Sequence, residues 1–581
     1  MAEFQNPQQD PGAERRLLLV FLLTFIVILL SQPLLKKYLP QAPAQPAAKP
    51  QPAEVPPAPA AGNVQAASPA PITFVSSTAK QATSEAETVV ENDLYRITFT
   101  NRGAQVKSWV LKKFDNDSGK PLDLVNSAAS ALYGYPLSLW TYDESQRNQL
   151  NSALYVPSAT GTLTVPGELS FEYSTQNLVV KKTFTFDGSY VVGVRTSVLV
   201  NGNPVASFPM WPAGLGDQNN SIGFHASDIE YQYNDKTTQL AIKKVSGGGT
   251  VRGPFNWAGI GDSYFAAVFV PQNPQTSVLV TLRNALQIPK DPGKPKEGLT
   301  AVDVLGAAVG DSSGVTNARL YAGPKSLDDL QSVSVPTIIG AEQDLRSLIN
   351  FGTFGFIARP LFGWLRWTYK YVHNWGWAIV LQTLVITLAL LPLRISSMKS
   401  ALKMQKVQPQ MNAIKEKYKK YKINDPRRQE MNVEIGALMK QEGVSPLGGC
   451  LPLIVQLPFI WAYYKMLGVA IDLRHAQWLW ISDLSSKDPY LILPIILVVS
   501  MVLTQRMTPQ TGMDPTQQKM MNITMPLMMG FIFFNLAAGL NLYYAESNLI
   551  TIIQQAVMNR TSLGREMREL ALKRARKKQQ K

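Results

Sequence analysis

The chain has 581 residues, 45% of them hydrophobic, with 56 Lys and Arg against 41 Asp and Glu for a formal net charge of +15. A single cysteine, Cys450, excludes an internal disulfide and argues against a thiolate metal site. The histidines His225, His373 and His475 stand apart from carboxylates at ligand spacing, and no nucleophile–base set or phosphate loop is visible, so the residues point away from an enzyme and from a bound metal or cofactor.

The first apolar run, Leu17–Leu35, follows Arg15 and Arg16. A cleaved signal peptide and an uncleaved anchor compete here. The length of the run favours the anchor, as does the absence of small-x-small sites before Lys36 and Lys37. The reading is therefore an N-terminal segment 1–16, a span 17–35 and an Ala/Pro-rich stretch 36–71 that acts as a semi-rigid tether. Residues 72–336 change to short alternating segments rich in Val, Thr, Tyr and Phe, broken by Gly, Asn, Asp and Pro. Leu94–Thr100, Leu178–Phe186 and Tyr190–Val200 predict antiparallel strands with one wet face, in one large β-sandwich or two small ones. Gly247, Gly248 and Gly249 lack the following Lys-Ser/Thr of a phosphate loop and read as a turn.

Ile349–Tyr371 mixes Phe, Leu and Trp with Arg359, Arg366 and Lys370. An amphipathic helix in the membrane interface fits, within 341–373, with Trp364, Trp367 and Tyr371 at headgroup depth. A core helix of the β-domain is the other reading. Apolar stretches follow at about Trp377–Leu393, Leu447–Val469, Leu491–Leu503, Met521–Leu540 and Asn541–Met558. Runs of roughly 17–20 apolar residues suit a hydrocarbon core about 30 Å thick, so the region reads as spans: the second over 374–394, the third to sixth over 447–558. The insert 395–446 and the tail 559–581 are rich in Lys and Arg, whereas Ile471–Pro489 holds only Arg474 and Lys487. The positive-inside rule places insert, tail and N-terminus in the cytoplasm and the β-domain in the periplasm of a Gram-negative inner membrane. In the insert, Met404, Val407, Met411, Ile414, Tyr418 and Tyr421 form a seam answered by Met431, Ile435 and Leu438. Asn424, Asp425 and Pro426 cap the return helix, and Pro409 kinks the first helix or marks its start. This coiled-coil hairpin is either a spacer or a docking arm for ribosomes and incoming chains. The expected fold class is thus a polytopic α-helical membrane protein of six spans with an all-β periplasmic sandwich and a cytoplasmic helical hairpin.

Several local motifs carry a resemblance. Asn374-Trp375-Gly376 opens a span that ends at Pro392-Leu393, and Gln408-Pro409 lies in the basic hairpin. Ser445-Pro446-Leu447-Gly448-Gly449-Cys450-Leu451-Pro452 follows, with Gln456 and Pro458, then Trp480, Asp483-Leu484-Ser485 and Asp488-Pro489-Tyr490. Asp514-Pro515, Gln517-Gln518-Lys519, Leu542-Tyr543-Tyr544, Ser547-Asn548-Leu549 and Thr551-Ile552-Ile553-Gln554-Gln555 complete the set. In this order the chain resembles the YidC/Oxa/Alb family of membrane protein insertases, in the Gram-negative form with an extra N-terminal span and a periplasmic domain. The resemblance implies a groove among the last five spans, open to cytoplasm and lipid, through which nascent membrane proteins enter the bilayer, alone or beside the Sec translocon. It also implies an arginine four residues after the threonine that matches Thr383, where this chain has Thr387.

On a straight helix Thr383, Thr387 and Arg394 share one stripe, so Arg394 either supplies the groove's charge from its mouth or is an ordinary positive-inside anchor. Glu546, deep in the last span, is a functional candidate by its depth, or pairs with Lys465, or sits near the outer interface. Thr383 and Tyr544 match family positions that line the groove or contact substrate. Gln382, Gln456, Tyr543 and Asn548 complete the expected site, and the last three serve equally as packing hydrogen bonds. A solute transporter or channel is the rival reading, but no internal repeat is visible and the spans carry few ionisable groups. The basic tail suits ribosomal RNA or lipid headgroups equally.

Overall fold

A computed structural model describes residues 79–216, 227–233, 236–240, 242–289, 298–336, 342–421, 425–444, 451–507, 515–562, 564–566, 568–570 and 572. The expected anchor 17–35, the tether, Ser445–Cys450, Asp514 and most of the basic tail lie outside them. The described residues other than 515–521 belong to one compact unit, 74–512 with 522–581.

The first half is β-rich. Leu178–Phe186 shows why: alternate residues from Leu178 to Phe186 turn inward while their neighbours face solvent, the period-two pattern of a half-buried strand. Val191–Val200 pairs with it antiparallel on one side, and Gly167–Ser174 on the other. These strands sit in a ten-stranded sheet, which two five-stranded sheets accompany. One contains Glu87–Glu91, Tyr95–Thr100 and Gln105–Asp115; the other Phe208–Trp211, Ser277–Pro289 and Leu299–Asp311. Phe99 of the first small sheet lies 5.1 Å from Phe184 of the large one, and Trp109 lies 5.8 Å from Trp211 of the second small sheet. The three sheets therefore share a single hydrophobic core, one large sandwich rather than two small ones. It is not purely β: α1 (Ser127–Tyr133), α2 (Glu144–Ser152) and α3 (Leu327–Gln331) are inserted, each N-capped by the side chain of Asn126, Asp143 or Ser326. Gly247–Gly249 does form a turn, with Gly248 at φ 79°.

The second half is helical: α4 (Gly355–Val372), α5 (Trp375–Ala389), α6 (Leu391–Lys417), α7 (Arg427–Gln441), α8 (Leu451–Val469), α9 (Ile492–Met507), α10 (Pro515–Phe533) and α11 (Ala538–Arg560). Ahead of α4, Glu342–Asp344 pairs with Ser334–Pro336 of the β-domain, so helix begins only at Gly355. Ala358, Leu361, Phe362, Leu365 and Thr368 form the buried face of α4, which packs on α5 and α8 rather than inside the sandwich. Trp367 and Tyr371 are exposed; Trp364 is half-buried against the core.

Three helix boundaries differ from the sequence reading. The second apolar stretch ends at Ala389, and a new helix starts at Leu391 with Pro392 in its first turn, bent by 46°. Proline fits there because a first-turn N–H has no helical partner anyway. Pro409, by contrast, lies inside the continuous helix α6 and does not start one. The fifth stretch stops at Phe533 and the sixth starts at Ala538, because the buried Asn541 donates its side-chain amide to the carbonyls of Phe533 (3.0 Å) and Leu536 (3.4 Å), satisfying groups at the end of α10. Between α6 and α7, Val407 and Met411 pack with Met404, Ile435, Leu438 and Val444. Asp425 accepts from the backbone of Arg427 at 3.0 Å as the return helix begins. Among the described residues no single helix is long and apolar enough to cross a membrane, although α5 and α6 together have the length and hydropathy.

The loop between α8 and α9 ties the two halves together. Arg474, its side chain only 7% exposed, donates to the Asp115 carbonyl at 2.7 Å and sits 5.4 Å from the Phe265 ring. Asp488 accepts from the backbone of Leu493 at 2.7 Å and from the Trp480 indole at 3.2 Å, which fixes the start of α9. Gly376 in α5 faces the Trp478 indole so closely that an added Cβ would overlap it. Gly376→Ala is therefore expected to cost about 1–3 kcal/mol through overpacking, read as a lower thermal midpoint of the detergent-solubilised protein.

Candidate functional site

Polar side chains inside the helical half concentrate on the inner faces of α5, α8 and α11. Gln382 and Thr383 are fully buried and Thr387 nearly so, although α5 is otherwise apolar. The two threonines return their hydroxyls to the carbonyls one turn back, Thr383 to Ile379 and Thr387 to Thr383, both at 2.7 Å. Gln382 donates to the Leu361 carbonyl of α4 at 2.9 Å and accepts from the Tyr463 hydroxyl of α8. Tyr463 stacks on Tyr543 of α11, ring centroids 4.1 Å apart and nearly parallel. Tyr544 meets Phe533 edge-on at 4.7 Å. Glu546 is half-buried beside Thr383; its Oε2 is wholly enclosed and has no hydrogen-bond partner. It makes no ion pair with Lys465 or any other described residue.

A second polar contact lies further along. The Arg394 guanidinium donates to Gln554 Oε1 at 3.0 Å, and the Gln554 amide donates to the Thr387 carbonyl at 3.3 Å. Because the helix breaks at Leu390, Arg394 belongs to α6 and the single straight stripe through Thr383, Thr387 and Arg394 does not exist. Gln554 restores the connection instead.

The structure thus gathers Gln382, Thr383, Tyr543 and Glu546 around Tyr463, and joins Thr387 to Arg394. Gln456 stays apart from both groups without a hydrogen bond among the described residues, and the enclosed Asn548 Nδ2 has no partner. Sequence reasoning missed Tyr463 as a site residue and did not assign Gln554 a role. The signal for Tyr463 was its place two helical turns after Gln456, on the same stripe of α8.

Comparison with known proteins covers nearly all of this architecture. Residues 367–565 match the family described as 60Kd inner membrane protein, and residues 87–364 the family described as YidC periplasmic domain. The chain is similar to a membrane protein insertase YidC of Geobacter metallireducens, 32% identical over 566 residues, which covers 94% of this chain and 98% of that one. It is also similar to its counterpart from Geobacter sulfurreducens, 34% identical over 491 residues, 80% of this chain and 85% of that one. Among solved structures, an active YidC insertase with its first transmembrane domain resolved is 20% identical, covers 83% of this chain and 94% of that one, and has a TM-score of 0.33.

Proposed function

The chain belongs to the YidC family of membrane protein insertases, and from that premise we propose how its residues do the work: nascent apolar segments pass from the cytoplasm into the inner membrane along the polar seam just described. Its substrates are membrane proteins, its surroundings are lipid, and its activity is not enzymatic. The observation that carries the groove reading is the cluster of Gln382, Thr383, Tyr463 and Glu546 on otherwise apolar helices. Leaving polar groups unsatisfied in hydrocarbon costs several kcal/mol each. A polar surface at that depth lowers the cost of moving a substrate's hydrophilic end, while burial of the substrate's own apolar segment drives the step.

The finer reading has six spans. The β-domain and the loop 471–489 are periplasmic; both termini, the basic hairpin and the tail are cytoplasmic, with hairpin and tail meeting the ribosome and the whole working alone or beside the Sec translocon. Contact of Arg474 and Asp115 supports this orientation, because it puts the sparsely charged loop at the β-domain end of the helices. Arg394 and Gln554 lie toward the opposite, basic end. There Arg394 supplies the positive charge of the groove mouth. α4 lies in the outer interface, with Trp367 and Tyr371 toward the headgroups.

A photo-crosslinker at Thr383, Thr387 or Tyr544, presented with a stalled single-span nascent chain, tests the groove. Crosslinks to the apolar segment of the nascent chain are expected, and their loss in Arg394→Ala is expected if the mouth charge guides entry. Crosslinks that survive Arg394→Ala would remove Arg394 from the mechanism. No crosslink at any of the three positions would remove the groove.

A further inference from the structure

Glu546 adds polarity to the seam, but its ionisable carboxyl has been given no role of its own. It lies eight residues into α11, roughly 12 Å from its start at 1.5 Å per residue. That depth matches Thr383, eight residues into α5. A carboxylate at such depth is costly unless it is paired, and paired carboxylates are the rule inside membranes. Here Oε2 is enclosed without a hydrogen-bond partner and no described cation pairs with the residue. Two basic side chains of the helical half are committed elsewhere. Arg394 is held by Gln554, eight residues further along α11, and Lys465 lines a cavity of about 290 Å³ with Asp228, Glu230 and Asp262 of the β-domain. The position one helical turn beyond Thr383, where the resemblance implies an arginine, holds the neutral Thr387. The seam therefore carries an unpaired carboxyl at mid-depth and a cationic group only at its mouth.

We propose that Glu546 receives a cation from the substrate: this insertase accepts membrane proteins whose translocated hydrophilic segment bears lysine or arginine, and Glu546 is the specificity-determining residue. This rests on the groove reading above. A lysine that travels outward leaves water and moves against an inside-negative potential. A carboxyl halfway, beside a neutral threonine and Tyr463, ionises as the cation arrives and offsets part of both costs, whereas it offers an acidic tail no counter-charge.

The intact protein, reconstituted in vesicles, is given single-span substrates whose short N-terminal tails carry three Lys, three Gln or three Glu, with protease protection of the tail as the readout. The Lys-tail to Glu-tail insertion ratio is expected to exceed one and to fall about tenfold in Glu546→Gln, while Glu546→Asp retains it. Because the ratio is internal to each preparation, poorer folding of a variant does not mimic the effect. A ratio at or below one in the unaltered protein, or one unchanged in Glu546→Gln, overturns the proposal. A crosslinker at Thr383 with the Gln-tail substrate separates the two readings. Crosslinking with an unchanged ratio sinks only the role of Glu546; absence of crosslinking sinks the groove and this inference with it.

Discussion

Lys182→Met is expected to lower the stability of the β-domain by about 3–5 kcal/mol at neutral pH, a large part of the stability of a domain, read as a fall in urea midpoint with the buried tryptophans Trp109 and Trp211 as reporters. Lys182 is fully buried at an inward position of the strand Leu178–Phe186. Its Nζ donates to the carbonyls of Gly103 (2.6 Å), Leu137 (2.8 Å) and Ala104 (3.2 Å) and lies 5.6 Å from the Tyr155 ring centroid. All three acceptors have left-handed backbone, with φ of 66°, 64° and 47°. For Ala104 and Leu137 that conformation costs roughly 1–2 kcal/mol each, so something must hold it. The ammonium does so by collecting the carbonyls that these turns direct inward. Methionine fills similar volume but leaves three enclosed acceptors without donors, each worth about 1–3 kcal/mol.

The same residue gives the domain a pH signature. Burial pulls the Lys182 ammonium down to about 7 from its ordinary value near 10.5. Between those limits the unfolded chain binds more protons than the folded one, so stability rises with pH from about 7 toward 10, with a slope of up to about 1.4 kcal/mol per unit. Below about 7 both states bind the proton and the dependence flattens. The neutral amine keeps two N–H donors, so two carbonyls remain bonded at the upper end. Lys182→Met is expected to abolish this slope; a slope that persists in the variant would assign it to another group.

Lys182 also marks what could be read from sequence and what could not. Period-two alternation placed the strand Leu178–Phe186 at the observed bounds, but periodicity does not name partners. The acceptors lie 45, 78 and 79 residues away, brought together only by the sheet topology. The candidate site repeats the lesson. Gln382, Thr383 and Thr387 are buried in α5. The partner of Gln382 is 81 residues distant and that of Arg394 is 160. The straight stripe failed for a local reason that was visible, the proline at 392 that lets one helix end and another start. The boundary near Leu540 failed for a non-local one, Asn541 reaching back over the turn to close α10. One sandwich or two depended on contacts such as Trp109 with Trp211, which no local pattern contains.

Lys325→Met is expected to destabilise the β-domain by about 3–5 kcal/mol, and Glu230→Gln in the same chain to restore most of that loss. Lys325 Nζ lies 3.3 Å from Glu230 Oε1, with side-chain exposures of 4% and 2%. Gln239 also donates to that oxygen, at 2.7 Å. Burial pushes the Glu230 carboxyl above its ordinary value, and the lysine opposes the shift. With Lys325 gone its opposing charge is lost, so the carboxyl rises further. A group whose folded pKa is raised contributes stability below its unfolded pKa of 4.5 and loses it as pH rises through the folded value. The deficit of Lys325→Met should therefore be small near pH 4.5 and largest at pH 8, and the double variant should not show that dependence. Equal deficits in single and double variants would mean that the lysine acts through packing alone. The pair also forms one wall of the 290 Å³ cavity whose other wall is Leu348, Ile349, Asn350, Lys465 and Val469, the junction between the β-domain and the helices. Insertion measured at equal amounts of folded protein then separates two roles for this domain. If Lys325→Met lowers stability but not insertion, the sandwich serves as a separate periplasmic body; if insertion falls with it, the junction helps to hold α8, and with it Tyr463, in place beside Gln382.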